Sequence, residues 1–195
     1  MSNPPSVSGE GTVPAGLAGL VARAGPAARE RPVEAWNPPD CGDIDMRIAA
    51  DGSWHYNGGP IRREALVRLF ASVLRREPDG RHVLVTPVEK LGISVDDAPF
   101  LAVEMAAEGE GRGRRLTFRT NVGDVVAAGP DHPIRYAVEP GTGGVKPYVE
   151  VRRGLEALLS RPLVFELAEL AETREGRLGV WSGGAFFPFP DEADG

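Results

Sequence analysis

The chain has 195 residues, of which 42% are hydrophobic and 26% charged, a composition that suits one substantial core or two small ones. Its 28 acidic and 22 basic side chains give a net charge of −6, which argues against nucleic acid as a partner because nucleic-acid binding needs a basic surface. A single cysteine, Cys41, excludes internal disulfides and any cysteine-rich metal site. No apolar run approaches the roughly 18–20 residues of a membrane helix, and no signal peptide is visible, so we expect a cytoplasmic protein without a membrane partner.

The two ends of the chain are predicted to lie outside the folded part. Residues 1–35 begin with a stretch rich in Ser, Pro and Gly that has almost nothing to bury, and we interpret them as a disordered tail. Leu17, Leu20 and Val21 lie at helical spacing and predict one short helix within this tail. Residues 191–195 form the other tail.

The first folded unit is predicted to span residues 36–107. Apolar and charged side chains alternate over residues 44–48, which is typical of a half-buried strand, and Asp51-Gly52 signals the turn into a return strand. An apolar stripe at helical spacing over residues 66–74 predicts a helix that begins at Arg62-Arg63. Further strands are expected at residues 82–86, 91–95 and 100–105.

The second unit is predicted to span residues 114–190, after a polar, glycine-rich connection at residues 108–114. Its plan repeats that of the first, since five residues at strand and helix starts follow their counterparts by 90 positions. These residues are Ile134, Tyr136, Val138, Arg152 and Arg153, which correspond to Ile44, Met46, Ile48, Arg62 and Arg63. We expect Arg152-Arg153 to open a short second helix that ends at Pro162, and residues 163–170 and 178–187 to form a closing hairpin.

These patterns together predict the fold class. We expect an α+β fold of two related β-hairpin–helix–β-hairpin units, with mainly antiparallel sheets and one main helix in each unit. The edge strands of two small sheets also offer a route to a homodimer.

Several segments resemble one protein family. They are WNPPDCGDIDMRI, PIRREALVRLFASVLRREPDGRHVLVTPVEK, DDAPFLAVEM, TFRTNVGD, GGVKPYVEVR and GVWSGGAFFP, and the similarity covers nearly all of the chain except its ends. On these motifs the chain is similar to the bacterial domain-of-unknown-function family 1285. The resemblance implies a two-part α+β fold with repeated motifs and a link to signalling, and it brings no catalytic residues with it.

The paired arginines are the first candidate site. Two arginines at a helix start oppose the helix dipole, at a cost on the order of 0.3–1 kcal/mol for each exposed charge. One interpretation is an anion site, in which guanidinium groups and helix-start N–H groups bind a phosphate or a carboxylate. Its residues would be Arg62, Arg63, Arg152 and Arg153. The other interpretation, favoured because arginines commonly pair with carboxylates, is internal pairing with Asp43, Asp45 or Glu150.

Four residues of the first unit form the second candidate cluster. Asp43 and Asp45 share a strand face and His55 lies on the polar face of the next strand, so these side chains could bind a cation or act as acid and base. Cys41 could then act as a nucleophile. A solvated or arginine-paired strand face and an inert cysteine explain the same residues more simply. The three histidines show no metal-ligand spacing, and no P-loop or dinucleotide fingerprint is present, so we predict neither a metal nor a cofactor.

Two function classes follow from these residues. The duplicated architecture and the lack of a catalytic motif favour a binding or regulatory module that recognises a protein partner or a small anionic ligand. The alternative is a small hydrolase or transferase built on Asp43, Asp45, His55 and Cys41. Geometry discriminates between the two, because such an enzyme needs those four side chains in one pocket.

Overall fold

The structure is a computed structural model, and it describes residues 31–190. The predicted helix near Leu17 and the tail at 191–195 therefore lie outside the described residues. Residues 31–35, which we assigned to the first tail, are described and belong to the folded part. Val33–Ala35 form one turn of 3₁₀ helix, and the side chain of Val33 is buried in the core.

The first sheet has six strands in the order β3-β2-β1-β6-β5-β4. They are β1 (Asp40–Ile48), β2 (Trp54–Tyr56), β3 (Gly59–Pro60), β4 (Leu74–Arg76), β5 (His82–Val85) and β6 (Lys90–Val95). The central strands β1 and β6 run parallel, and the other neighbouring pairs are antiparallel. Helix α1 (Glu64–Ser72) connects β3 to β4 and buries Leu69, Phe70 and Ala71.

The second sheet also has six strands, in the order β10-β11-β12-β7-β8-β9. They are β7 (Phe100–Glu108), β8 (Arg115–Thr120), β9 (Val125–Ala127), β10 (Ile134–Val138), β11 (Val145–Arg152) and β12 (Leu155–Leu159). Its central strands β7 and β12 are again the parallel pair.

The two sheets share one topology. In each, a central strand (β1 or β7) leads through a meander to one edge (β3 or β9), and the chain then crosses to the other edge (β4 or β10). A second meander returns to the centre as β6 or β12, parallel to the first strand. The repeat is therefore present, but β1 corresponds to β7, which begins 60 residues later at Phe100. The match at 90 residues paired β1 with β10 and was wrong, because alternating apolar residues recur in any half-buried strand.

Helix α2 (Arg161–Glu169) and a small antiparallel sheet follow the second sheet. The strands of this third sheet are β13 (Glu172–Arg174), β14 (Arg177–Ser182) and β15 (Ala185–Pro188). The fully buried Ser182 joins it to the second sheet, since its hydroxyl accepts a hydrogen bond from the Leu116 N–H at 2.9 Å and donates to the Ala128 carbonyl at 2.7 Å.

One hydrophobic core joins the two large sheets. Its fully buried side chains include Trp54 and Leu84 from the first sheet, Phe100 and Phe118 from the second, and Leu167 from α2. Since these residues belong to a single packed cluster, the two units share one core.

The predicted helix at Arg152-Arg153 is wrong. Arg152 ends β11, Arg153-Gly154 form a turn, and Leu155–Leu159 are strand β12. Leu155, Ala157 and Leu159 are buried and alternate with less buried residues, which is the period of a strand. The repeat offset predicts a helix here, but the two-residue spacing of the buried side chains is that of a strand.

The helix of this region begins later, after Ser160. Pro162 does not end a helix but lies in the first turn of α2, where its missing N–H breaks no intrahelical hydrogen bond. Residues 163–169 are therefore helical, Leu170 is the C-cap, and this segment does not form one strand of a hairpin. In the first unit, α1 ends at Ser72, and Leu74–Arg76 form strand β4 and not the last helical turn.

The change from the first to the second sheet falls between Val95 and Phe100. We had placed β7 in the first unit (36–107), but it pairs with β8 and β12 of the second sheet. The glycine-rich residues 109–114 connect β7 to β8, and so they mark a hairpin connection inside one sheet.

The α+β prediction holds in its coarse form, as two similar sheets with a helix associated with each. The units are not simple hairpin–helix–hairpin repeats, because both large sheets contain parallel and antiparallel strands. The helices also differ in position, since α1 connects two strands of the first sheet and α2 follows the last strand of the second. None of the helices within residues 31–190 has the length and apolar character needed to cross a membrane.

Candidate functional site

A cavity of about 370 Å³ lies where the two large sheets meet. One wall comes from the chain around Arg31 and Val33, from helix α1 and from β4, and the opposite wall comes from the β8–β9 turn and the β11–β12 turn. We call this cavity the interdomain cleft. Its size lies within the range of small-molecule sites in proteins.

The interdomain cleft is rich in arginine. Five arginines line it, against two carboxylates, in a protein whose formal net charge is −6. The basic residues of the lining are Arg31, Arg68, Arg75, Arg152 and Arg153, with His132 beside them, and the acidic ones are Glu34 and Asp124. Such a lining attracts anions, and the concave shape focuses the positive potential.

Arg152 connects the two walls of the cleft. One guanidinium nitrogen donates to the Asp124 carboxylate at 2.6 Å, and another donates to the Ala71 carbonyl in the last turn of α1 at 2.7 Å. The guanidinium also lies 5.0 Å from the centre of the Phe100 ring. With its side chain 19% exposed, Arg152 ties α1 of the first unit to the second unit and still lines the cavity.

Arg153 is held by a tight turn and is less committed to protein partners. Its φ is 48° and that of Gly154 is 77°, which is the type I′ pattern of a two-residue hairpin between Arg152 and Leu155. The Glu150 carboxylate accepts the Gly154 N–H at 3.0 Å, so Glu150 stabilises the turn and does not pair with either arginine. The Arg153 guanidinium is half-exposed, with Glu34 at a loose 3.8 Å.

The remaining basic groups differ in how firmly they are held. Arg75, 11% exposed, donates to the Val33 and Trp36 carbonyls and pairs with Glu77, so its role is to hold the chain entry against β4. Arg31 donates to the Ser72 hydroxyl at 3.2 Å. His132 has Nδ1 at 3.0 Å from the Glu150 carbonyl, and because a carbonyl only accepts, Nδ1 is the donor of this hydrogen bond.

The predicted arginine site is thus only half assembled. Arg152 and Arg153 line the interdomain cleft, whereas Arg62 lines a second, smaller cavity and Arg63 lines neither. Among the described residues, no carboxylate lies within ion-pair distance of Arg62 or Arg63, so the expected pairing with Asp43 or Asp45 is not formed. Arg63 is the N-cap residue of α1 and makes no side-chain capping hydrogen bond.

The four residues of the enzyme alternative have separate surroundings. Cys41 is exposed, with its sulfur 3.7 Å from the Pro39 carbonyl. Asp43 lies 3.8 Å from Arg81, Asp45 is exposed, and His55 Nε2 lies 2.9 Å from the Ser53 hydroxyl. None of the four lines either cavity, so the geometry gives this alternative no support.

Asp43 belongs to an arginine-paired strand end, as the simpler interpretation predicted. Arg81 also donates to Asp40 and Asp79, both at 3.0 Å. A hydrogen bond from the Gly42 N–H and another from Arg81 hold the pKa of Asp40 below its usual range. Asp40 therefore stays ionised as an ion-pair partner of Arg81. Among the described residues, no three His, Cys, Asp or Glu side chains are grouped so that they could hold a metal ion.

Sequence reasoning missed most of the cleft. Arg31, Arg68 and His132 come from a chain entry, a helix face and a loop that are far apart in sequence, and no spacing connects them. One local signal was available: Arg-Gly between two alternating segments is a two-residue hairpin candidate, although weaker than Asn-Gly.

Two sheets of the same mixed topology around a shared core define a two-domain protein with a cavity between the domains. Family models agree with this division: the chain matches "Domain of unknown function (DUF1285), N-terminal domain" over residues 31–98 and "Protein of unknown function (DUF1285), C-terminal domain" over residues 99–189. The chain belongs to the DUF1285 family, as the resemblance of its motifs indicated.

Two solved structures of the family are similar to this chain. A DUF1285 family protein from Silicibacter pomeroyi DSS-3 is 55% identical, with a TM-score of 0.81 over 87% of this chain and 93% of that one. A DUF1285 family protein from Shewanella baltica OS155 is 27% identical, with a TM-score of 0.50 over 64% of this chain and 90% of that one. No curated protein matches the sequence.

Proposed function

We propose that this protein is a cytoplasmic binding module whose interdomain cleft holds a small anionic ligand, in a regulatory role. The observation that carries the proposal is the convergence of five arginines on one cavity of an otherwise acidic protein. Guanidinium groups match phosphate and carboxylate oxygens in pairs of hydrogen bonds, and they keep their charge at every physiological pH.

The groups that contact the ligand are those with donors to spare. Arg152 and Arg75 are engaged by protein carbonyls and carboxylates, so they shape the wall and supply its charge. Arg153, Arg31 and Arg68 reach the cleft with few partners, so their guanidinium groups have donors left for an anion. An anion would displace Glu34 from its loose contact with Arg153.

Binding between two domains suggests how a regulatory signal would arise. Arg152 joins the last turn of α1 to the second unit through the Ala71 carbonyl, and Arg76 donates to the Gly154 carbonyl at 3.3 Å. A ligand that engages Arg153 and Arg68 together would add a further connection between these elements. It would therefore favour the domain arrangement in which the cleft is complete.

A thermal-shift titration with inorganic phosphate and inorganic diphosphate tests the proposal. At about 100 times its Kd a ligand stabilises the folded state by about 2.7 kcal/mol, which raises the Tm of a chain of this size by roughly 5–10 °C. We expect such a rise in the native protein and its loss in Arg153→Asn. Arg63→Asn removes the same charge outside the cleft and should keep the rise. Equal responses of the two variants would contradict the proposal.

The protein-partner alternative stays a prediction. The large apolar side chains that are exposed come from different elements, and of these only Val125 lines the cleft. The catalytic alternative on Asp43, Asp45, His55 and Cys41 has no cavity to support it.

A further inference from the structure

A second cavity of about 200 Å³ adjoins the interdomain cleft. Arg68 lines both cavities, and the other walls of the second one are the β1–β2 turn, the entry to α1 and Asn121, which follows β8. We call it the side cavity. An extended molecule that occupies both cavities would pass the shared Arg68 side chain.

The side cavity carries a net positive charge, since the guanidinium groups of Arg62 and Arg68 line it together with one carboxylate, Glu64. Among the described residues, no carboxylate lies within ion-pair distance of the Arg62 guanidinium. Arg68 has Glu64 at 3.5 Å, one helical turn away, and both side chains are largely exposed. Such an exposed pair within a helix is weak, so the Arg68 guanidinium can turn to a ligand at little cost.

The side cavity also contains a buried donor without an acceptor. Trp54 lines it and is 1% exposed, and its indole N–H has no hydrogen-bond partner in the part of the chain that the structure describes. Buried donors in folded proteins are almost always paired. The polar neighbours are already used, since the Asn121 amide oxygen accepts the Leu101 N–H and its nitrogen donates to the Gly52 carbonyl.

We propose that the ligand is an elongated molecule with two separated anionic groups, one held in the interdomain cleft at Arg153 and the other in the side cavity at Arg62 and Arg68. The second group lies against the Trp54 side chain, which lines the side cavity. The inference rests on the proposed function, because it assigns the second half of the same ligand. Arg68, between the two cavities, contacts both halves.

Titration calorimetry with alkane-α,ω-diphosphonates of increasing chain length tests the inference. Each diphosphonate is compared with the alkylphosphonate of the same chain length. At one optimal length we expect the diphosphonate to bind at least tenfold more tightly than that alkylphosphonate. Arg62→Gln should remove that gain and leave alkylphosphonate binding unchanged. Arg63→Gln, the neighbouring residue that lines neither cavity, should leave both affinities unchanged.

The outcomes separate the two proposals. Suppose that alkylphosphonates bind and that Arg153→Asn weakens this binding. If no diphosphonate then binds more tightly than its alkylphosphonate, or if Arg62→Gln keeps the gain in affinity, the side cavity is not a subsite and the cleft proposal stands. If no phosphonate binds the native protein, both proposals fail. Tryptophan fluorescence gives a second test. In a Trp36→Phe/Trp181→Phe protein, the emission of Trp54 should change when the optimal diphosphonate binds and should not change when the alkylphosphonate binds. An emission that neither ligand changes would contradict binding in the side cavity.

Discussion

Arg153 occupies a backbone conformation that arginine adopts at a cost. Its φ of 48° lies in the left-handed region, where asparagine is tolerated far better, and the following Gly154 completes the Asn-Gly pattern that type I′ hairpins prefer. A residue that strains its backbone and yet carries a charge into a cavity is a candidate for a functional role.

Arg153→Asn should therefore raise the stability of the protein while it abolishes anion binding. We expect an increase in the free energy of unfolding of about 0.5–1 kcal/mol, measured by urea denaturation without ligand. A loss of stability would show that the ion pair with Glu34 outweighs the strain of the turn. Arg63→Asn provides the matched control, because Asn is a preferred N-cap for α1 and also removes one charge.

Arg152 is expected to behave in the opposite way. Arg152→Met leaves the Asp124 carboxylate and the Ala71 carbonyl without their donor, and we expect a loss of about 2–3 kcal/mol in urea denaturation. The comparison is Arg119→Met, which breaks an exposed pair with Glu104 and should cost much less. Equal costs would mean that the Arg152 contacts between the domains contribute no more than a surface ion pair.

At the scale of elements, short X-Gly turns connect many of the strands. Four hairpins have φ above zero at both turn residues, namely Asn57-Gly58, Arg153-Gly154, Glu175-Gly176 and Gly183-Gly184. These turns fix the register of neighbouring strands, and the Arg153-Gly154 turn thereby places two arginines in the cleft.

The turn at Gly183 also carries a packing constraint. A Cβ at Gly183 would lie 2.9 Å from the Ala128 carbonyl oxygen and 3.1 Å from the Cα of Gly129, whereas a Cβ at Gly184 meets nothing within 4 Å. Both glycines have positive φ, so both alanine variants are strained to a similar degree. Gly183→Ala should thus lower the Tm clearly more than Gly184→Ala, and an equal loss would show that the third sheet can move away from the second.

The elements also show what the sequence could and could not predict. Strands β1, β6 and β8 follow from their alternating residues, β5 follows from its short apolar run, and α1 follows from its apolar stripe, because these patterns are local. The 90-residue offset predicts a helix at Leu155–Leu159, whereas the alternating burial of these residues is that of a strand. The strand predicted at residues 163–170 is wrong, because Leu163 and Leu167 lie one helical turn apart on the buried side of α2.

For the molecule as a whole, the shared core makes a prediction about cooperativity. Trp54 and Leu84 of the first sheet and Phe100 and Phe118 of the second belong to one packed cluster. We therefore expect a single unfolding transition, with coincident curves by far-ultraviolet circular dichroism and tryptophan fluorescence. Two separate transitions would show that the domains are stable independently of each other.

The pH dependence of stability should reflect His82. Burial of its ring, together with the nearby Arg76 guanidinium, lowers the pKa of His82 in the folded state. The unfolded chain then binds a proton more readily, so stability is complete above the unfolded pKa of about 6.5 and decreases as the pH falls below it. In His82→Gln, urea denaturation should show a shallower loss between about pH 7.5 and pH 5. An equal loss in both proteins would contradict this assignment.

The whole-molecule view also explains why the cleft could not be derived from the sequence. Arg31, Arg68, Arg153 and His132 meet only because the two sheets pack against each other, and that packing is determined by the core, not by any motif. The 90-residue repeat singles out Arg152 and Arg153 as counterparts of Arg62 and Arg63, but the two sheets correspond through β1 and β7, which begin 60 residues apart. The fold therefore does not support the reason for which these two arginines were candidates, and their role in a site stays a prediction.

Amide chemical-shift mapping by NMR with inorganic diphosphate tests the central claim most directly. If the interdomain cleft is the anion site, the largest shifts should lie at Ser72, Asp124, His132, Arg153 and Gly154, on both walls of the cavity. They should vanish in Arg153→Asn and persist in Arg63→Asn. Shifts confined to other surfaces, or the same map in both variants, would contradict the account.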